Sequence, residues 1–405
     1  MKRLVEYWNR IARSQKNAQK EDLIHPMNNS RFTHAIIQMQ YVSRWKEYSP
    51  RYKDNAASHS FRCAAIAILA GIIEERVYGR SLDQLKLVAR ALLHDLNETV
   101  TGSIKYVTKK DKHVSEHIRR LESEVSIEIV SRLSKSLQPK FYDYVVEAED
   151  DSYVGQLVRG IDSFDAMLFC KRELDRDSSA IFASKYEELK ATLAGSPCES
   201  IGWLLEHSER DDGVMQFLQH ILNLDLIERW GGSFNLIPDN DATHSFRVAA
   251  MSLFNGLLEA ERFGRKDIDL YRLLGKSVMH DIVEGVSGDV ASPIKRSSPA
   301  IREAFEHYEQ EVARQMVMKL PAFFHETLTD FLVHSKDDTY EGELVDIADK
   351  IDALIKSNLE MRNNPHYGEK YYQQLVHIQH SYENPCVIFF LAYILHDLTY
   401  DHFVK

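Results

Sequence analysis

The sequence predicts an all-α protein made of two copies of one helical bundle, and three observations carry that expectation. Apolar residues recur at three- and four-residue intervals over long stretches, as in CAAIAILAGIIEERV from Cys63 and ESEVSIEIVSRLSKSL from Glu122, the period that lines one face of a helix. Glycine and proline are scarce, 17 and 10 in 405 residues, and no segment alternates polar and apolar residues as a half-buried strand would. Finally, the chain repeats itself. Arg44-Trp45, SHSFRCAA around His59, LLHDLNETVTG around His94 and Asp95, and a helix with Asp162 and Asp165 return as Arg229-Trp230, THSFRVAA around His244, VMHDIVEGVSG around His280 and Asp281, and a helix with Asp349 and Asp352. The offset is 185 residues at the first two motifs, 186 at His-Asp and 187 at the late aspartates.

Taken in order, residues 1–30 are a polar, amphipathic segment expected to form a flanking helix. The first copy spans 31–194, with Ser58 as the expected N-cap of the helix that carries His59 in its first turn. A DDSY segment, Asp150 to Tyr153, caps the helix carrying Asp162 and Asp165. Gly195, Ser196 and Pro197 open an expected linker over 195–214. The second copy spans 215–381, with Thr243 as the expected cap before His244 and DDTY, Asp337 to Tyr340, before the Asp349 helix. Residues 382–405 are expected to pack on this duplicated core as a second flanking helix.

A net charge of −11 and a pI near 5.9 argue against tracking a nucleic-acid backbone, which needs clustered cations. A small anionic ligand held by a few local cations is compatible. The four cysteines, Cys63, Cys170, Cys198 and Cys386, lack paired spacing and sit among apolar residues, as reduced core thiols of a cytoplasmic protein do. The sequence shows no export signal and no expected membrane span.

Core packing preserves apolar pattern and volume and has little reason to keep His, Asp, Glu, Arg and Trp at fixed spacing, so the repeat marks a polar site present twice. A His from one helix, a His-Asp pair from another and an Asp from a third supply two imidazoles and two carboxylates. Such a set suits Mn²⁺, Co²⁺, Fe²⁺, Mg²⁺ or Zn²⁺ with positions left open, one ion per copy. Spacing alone leaves open whether Asp162 or Asp165, and Asp349 or Asp352, completes each set. Glu98 and Glu284 stand one helical turn beyond their His-Asp pairs, placed to handle a proton. Arg44 and Arg229 offer charge-assisted bonds to phosphate, and Trp45 and Trp230 a rigid face for a sugar or base. Arg62 and Arg247, also repeated, are expected to snorkel from their helices outside the site. A third His-Asp pair, His396-Asp397, lacks the other motifs and reads as coincidence.

These motifs resemble the HD-domain phosphohydrolases, and more closely the bacterial 5′-deoxynucleotidases of the YfbR type. The resemblance covers both copies, roughly 330 residues. It implies that His59, His94, Asp95 and Asp162 bind one divalent metal and His244, His280, Asp281 and Asp349 another. It implies further that Arg44 and Arg229 hold phosphate, that Trp45 and Trp230 screen for a missing 2′-hydroxyl, and that Glu98 and Glu284 serve the attacking water. Members commonly dimerise as single-domain chains, so this chain resembles a fused pseudo-dimer. The family's Thr-Gly-Asp-x-Pro-x-Pro-x-Lys loop is matched by SGDVASPIK, Ser287 to Lys295, which brings in Asp289 and Lys295. In the first copy it reads as a shortened TGSIKY with Ser103 in place of Asp289, so the second copy is expected to carry most of the turnover. The implied substrate is a deoxynucleoside 5′-monophosphate, ahead of a deoxynucleoside triphosphate or a signalling nucleotide; a non-catalytic nucleotide-binding regulator is the alternative from another class. Lys105 and Lys109 are further nearby cations.

Overall fold

The computed structural model describes residues 28–399 apart from 105–107, 110, 176–178, 289, 291 and 296. Most of the expected N-terminal flanking helix, and Asp289 and Lys105 with it, lie outside the described residues. The first half contains α1 (Asn28–Gln38), α2 (Ala56–Arg76), α3 (Gln84–Leu93), α4 (Ser115–Ser131), α5 (Tyr153–Leu174), α6 (Ala180–Ala194) and α7 (Glu199–Ser208). The second contains α8 (Gly213–Asn223), α9 (Asp241–Leu257), α10 (Leu270–Met279), α11 (Pro299–Met318), α12 (Tyr340–Met361) and α13 (Tyr367–Ser381). A closing helix, Pro385–Phe389, continues as a wider turn over Phe390–Ile394. Thus α8 stands to the second half as α1 does to the first. The interval expected as a linker holds α7, the tail interval holds the closing helix, and these two stand at matching places in the repeat.

The centre is formed by α2 and α9, which pack on each other across the two halves. Every residue of α2 from Ala56 to Glu74 is buried, as is all of α9. This explains why SHSFRCAAIAILAG shows no clear polar stripe: a helix enclosed on all sides has no solvent face to mark. The Ala56–Arg76 helix is long and apolar enough to cross a membrane, yet its whole apolar window is buried inside the protein, as a core helix requires. All four cysteines are buried and unpaired.

The expected caps one residue before each histidine are corrected by the structure. Asn55 and Asn240 are the caps, their side chains accepting from the Ser58 and Thr243 amides at 2.9 and 2.8 Å. Asparagine three residues upstream satisfies the first-turn donors equally well, which frees the two hydroxyls. They meet each other instead: Ser58 Oγ lies 3.1 Å from Thr243 Oγ1, joining the starts of α2 and α9. The DDSY and DDTY caps are present, with Ser152 accepting from Gly155 and Thr339 from Gly342.

The one paired strand element among the described residues is a two-residue ribbon, Ser43–Arg44 against Asp54–Asn55. Its counterpart is a single bridge, Glu228 with Asn240. Both tie the Arg-Trp segment to the start of the histidine helix and so bring Arg44 and Arg229 over the site. Asp397 accepts from Ser30 Oγ at 3.0 Å, so the third His-Asp pair helps fasten the tail to α1.

Candidate active site

Each α2 or α9 histidine is fixed from behind. Asp165 Oδ2 lies 2.7 Å from His59 Nδ1, and Asp352 Oδ2 lies 2.7 Å from His244 Nδ1. With Nδ1 committed to a carboxylate, Nε2 is the free face of each ring. That face meets the other aspartate of the late helix: His59 Nε2 is 3.1 Å from Asp162 Oδ1, and His244 Nε2 is 3.4 Å from Asp349 Oδ1. Each late helix therefore presents two aspartates three residues apart to opposite nitrogens of one imidazole. His94 and His280 are oriented likewise by a carbonyl on Nδ1, that of Ala91 at 2.9 Å and Ser277 at 2.7 Å.

In the first copy both imidazoles lie near Asp95, and Asp162 meets the same nitrogen of His59. His59 Nε2 and His94 Nε2 lie 3.5 and 3.4 Å from Asp95 Oδ2, and His94 Nε2 is buried without a hydrogen-bond partner. In the second copy the separations from Asp281 Oδ2 are 3.3 Å to His244 and 3.2 Å to His280, with 3.4 Å between the two imidazole nitrogens. Ligands bound at about 2.1 Å to one ion stand roughly 3.0–3.4 Å apart, so the donor spacing suits a divalent cation. The charge balance agrees. Burial and Arg44 oppose a charged His59, but the carboxylates of Asp162 and Asp165 outweigh them and hold its pKa well above the ordinary value. Burial opposes ionisation of Asp95, yet His94, Arg44 and His59 hold it well below the usual carboxylate range.

Around the first set lies a cavity of about 200 Å³ whose walls include Arg44, Trp45, Glu98, Lys109, Asp162 and Leu189. Arg44 Nη1 reaches Asp95 at 3.0 Å and Nη2 reaches Asp162 at 3.8 Å. Glu98 is buried, and burial together with Asp95 pushes its carboxyl up to about 7 against the pull of Arg44 and Lys109. In the second copy burial, Asp281 and Asp241 raise Glu284 likewise, while Arg229 pairs with Asp241 at 2.8 Å and Asp281 at 3.4 Å. Trp45 and Trp230 both hold left-handed backbone, φ +57° and +64°, strained for a bulky residue and typical of functional turns. Trp45 stacks on Phe169 at 5.3 Å, and Trp230 packs beside Tyr367 at 5.9 Å.

The snorkelling expected of Arg62 and Arg247 is overturned. Arg62 is fully buried and Arg247 is 4% exposed. Arg62 grips Asp165 through Nε at 2.7 Å and Nη2 at 2.9 Å, and its Nη1 crosses to Asp225 of the second half at 2.8 Å. Arg247 grips Asp352 and reaches Gln40 of the first half at 2.8 Å. Each arginine thus holds the aspartate behind its histidine and joins the halves. Their exact repetition was a signal that spacing to the histidines alone could not interpret.

The first-copy loop is not shortened either. Gly102 to Lys109 has the length of Gly288 to Lys295, and the lysines make the same pair: Lys109 with Glu122 at 2.9 Å and Lys295 with Glu309 at 2.7 Å. The absence of a proline matching Pro293 hid this alignment. Both loops turn at a glycine with positive φ, Gly102 at +69° and Gly288 at +71°, which a β-carbon would disfavour.

A family described as 5′-deoxynucleotidase YfbR-like matches residues 31–211 and again 216–398. The chain belongs to that family, twice over. Similar proteins include a 4′-phosphooxetanocin A phosphatase of Priestia megaterium, 31% identical over 157 residues that make up 39% of this chain and 77% of that protein. A 5′-deoxynucleotidase of Vibrio atlanticus strain LGP32 is 26% identical over 177 residues, 44% of this chain and 90% of that one. A solved HD-domain phosphohydrolase from Listeria innocua shares 30% identity with a TM-score of 0.42, covering 46% of this chain and 89% of its own. As a member of the YfbR-like family the chain is a hydrolase, and both expected ligand groups lie within the matched segments. Among the differences between the copies of this YfbR-like pair, Ser103 replaces Asp289, and Glu149 stands where the second copy has Lys336.

Proposed function

We propose that this protein removes the 5′-phosphate from deoxynucleoside monophosphates with the help of a divalent metal ion, in the cytoplasm. The observation that carries the reading is the grouping of His59 and His94 about Asp95, with Asp162 on His59, where Asp95 and Asp162 line a small cavity together with Arg44, Trp45, Glu98 and Lys109. The first four would hold the ion, as His244, His280, Asp281 and Asp349 would in the second copy. When bound, such an ion lowers the pKa of water and draws electron density from a phosphate oxygen.

The remaining side chains divide the work. Arg44 presents a planar cation to the phosphate, releasing part of its hold on Asp95 and Asp162, and Lys109 in the same cavity adds a second positive charge. Glu98, with a carboxyl near 7, orients the water and takes its proton. Trp45, fixed by Phe169, gives the sugar a flat apolar wall where a 2′-hydroxyl would stand unsolvated. Two cations serve a monophosphate well and a triphosphate poorly. The relatives named as 5′-deoxynucleotidases and as a nucleotide-analogue phosphatase support this substrate class. Buried free thiols support a reducing compartment, and the net charge of −11 argues against binding a nucleic-acid backbone.

Phosphate release should be measured over deoxy- and ribonucleoside mono- and triphosphates with Mn²⁺, Co²⁺, Mg²⁺ and Zn²⁺. Deoxymonophosphates are expected to be hydrolysed fastest, with ribonucleotides slower by about a hundredfold or less, since an apolar wall rejects an added hydroxyl only moderately. Preferred hydrolysis of triphosphates would overturn the substrate assignment.

A further inference from the structure

The two ligand sets look alike until their surroundings are compared. In the second copy Asp349 Oδ2 is paired with Lys336 Nζ at 2.8 Å and Lys350 Nζ at 2.9 Å. Lys336 also interacts electrostatically with Asp281 and with His280, whose protonation it opposes. One ammonium group is therefore paired with one expected ligand and acts electrostatically on two more. Lys350 adds another and is itself tied to Asp346 at 3.1 Å. In the first copy the matching positions are Glu149 and Ser163. Glu149 interacts electrostatically with His94, Asp162 and Asp95, and the proximity of those two aspartates together with burial raises its carboxyl. Among the described ion pairs no lysine reaches Asp162; its partners are Arg44 at 3.8 Å and His59 at 3.1 Å.

A divalent ion is stabilised by uncompensated negative charge and opposed by nearby fixed positive charge. At the first set Glu149 adds its charge to Asp95 and Asp162 against the single cation of Arg44. At the second set Lys336 pairs with Asp349 itself and adds to the cation of Arg229. Exchanging Glu149 for Lys336 reverses the charge at one position, while Lys350 in place of Ser163 is offset by Asp346 in place of Arg159. Mutation of second-sphere partners typically alters metal affinity on the order of 10- to 100-fold.

We infer that the two copies have diverged in metal affinity: the first holds the divalent ion, and the second, with Lys336 as an internal counter-ion, is a metal-poor partner with little turnover. This rests on the phosphohydrolase reading above, and it reverses the assignment that Ser103 alone suggests. The second copy then serves the first mainly as the partner that buries α2 and supplies Asp225 to Arg62.

The test is metal stoichiometry and location. Chelator-stripped protein is reloaded with Mn²⁺ at rising concentration, bound metal is counted by elemental analysis, and its position is read from anomalous scattering in crystals. One equivalent is expected, at His59, His94, Asp95 and Asp162, with any second ion appearing only at a concentration at least on the order of 10- to 100-fold higher. Lys336→Glu should bring the second ion in at concentrations near those that fill the first, and Glu149→Lys should weaken the first by a similar factor, each variant being checked for a native far-UV spectrum. Two equivalents of equal affinity in the unaltered protein, or one equivalent at the His244 set, would overturn the inference and leave the phosphohydrolase reading standing. No bound metal at any concentration would overturn that reading together with it.

Discussion

Replacing Arg62 by methionine should destabilise the protein severely without touching the ligand set. The guanidinium is fully buried and compensates three carboxylates, Asp165 through two bonds of 2.7 and 2.9 Å, Asp54 at 3.2 Å and Asp225 at 2.8 Å. Two of these keep another cation: Asp225 bonds Arg172 at 3.0 Å, and Asp54 lies 3.6 Å from Arg44. Asp165 would be left with His59 alone. Stranding a buried charge costs about 3–5 kcal/mol. At about 2.1 cal/mol/K per residue, the unfolding entropy of 405 residues is about 0.85 kcal/mol/K. The loss therefore lowers Tm by about 4–6 °C if the halves melt together, and by roughly twice that if one half melts first. Arg62→Lys keeps the charge but not the paired bonds and should fall between. Differential scanning calorimetry reads the shift directly. A fall below about 1 °C in Arg62→Met would refute the view that this arginine neutralises a buried acidic cluster between the halves.

Asp95→Asn keeps side-chain volume but removes a charged ligand, and phosphate release should fall by orders of magnitude in protein that retains its far-UV spectrum; activity within tenfold of the parent would remove Asp95 from the reaction. Trp45→Ala should lower the deoxy-to-ribo ratio of kcat/KM toward one, and an unchanged ratio would show that another group reads the sugar. Acid stability is predicted from Asp150, whose bond to Arg90 and cap contacts depress its carboxyl to about 2. Because the folded value lies below the unfolded value of about 3.9, its contribution is full above roughly pH 5 and is lost as pH falls toward 2. Asp150→Asn should flatten part of that acid limb in urea titrations, and a parallel curve would refute the assignment.

The helical fold and the duplication were legible because both are periodic: apolar spacing marks buried faces, and identical polar residues at fixed offsets mark a repeated site. His59 lies near the His94-Asp95 pair in the first copy, and His244 near His280-Asp281 in the second, as the spacing implied, whereas spacing left open which late aspartate faces Nε2 of His59 or His244. What stayed hidden depends on contacts between residues far apart in sequence. Arg62 looked like a surface residue because its partners Asp165 and Asp225 lie 103 and 163 positions away. Ser58 and Thr243 looked like caps because a hydroxyl before a helical run usually is one, whereas their partner is each other across the centre. Lys109 was overlooked as the match of Lys295 because the first copy has no proline where the second has Pro293. Glu149 and Lys336 lie just ahead of the repeated DDSY and DDTY caps, outside the motifs themselves, so the reversal of charge between the copies became visible only once Lys336 was seen on Asp349.

The central claim, a metal-dependent phosphomonoesterase, is tested most directly by following phosphate released from a deoxynucleoside 5′-monophosphate by chelator-treated protein before and after Mn²⁺ or Co²⁺ is returned. The account predicts no release from the stripped protein and full recovery with roughly one equivalent of metal per chain. Release that persists unchanged after the metal is removed, or none with any deoxynucleotide after it is restored, would contradict it.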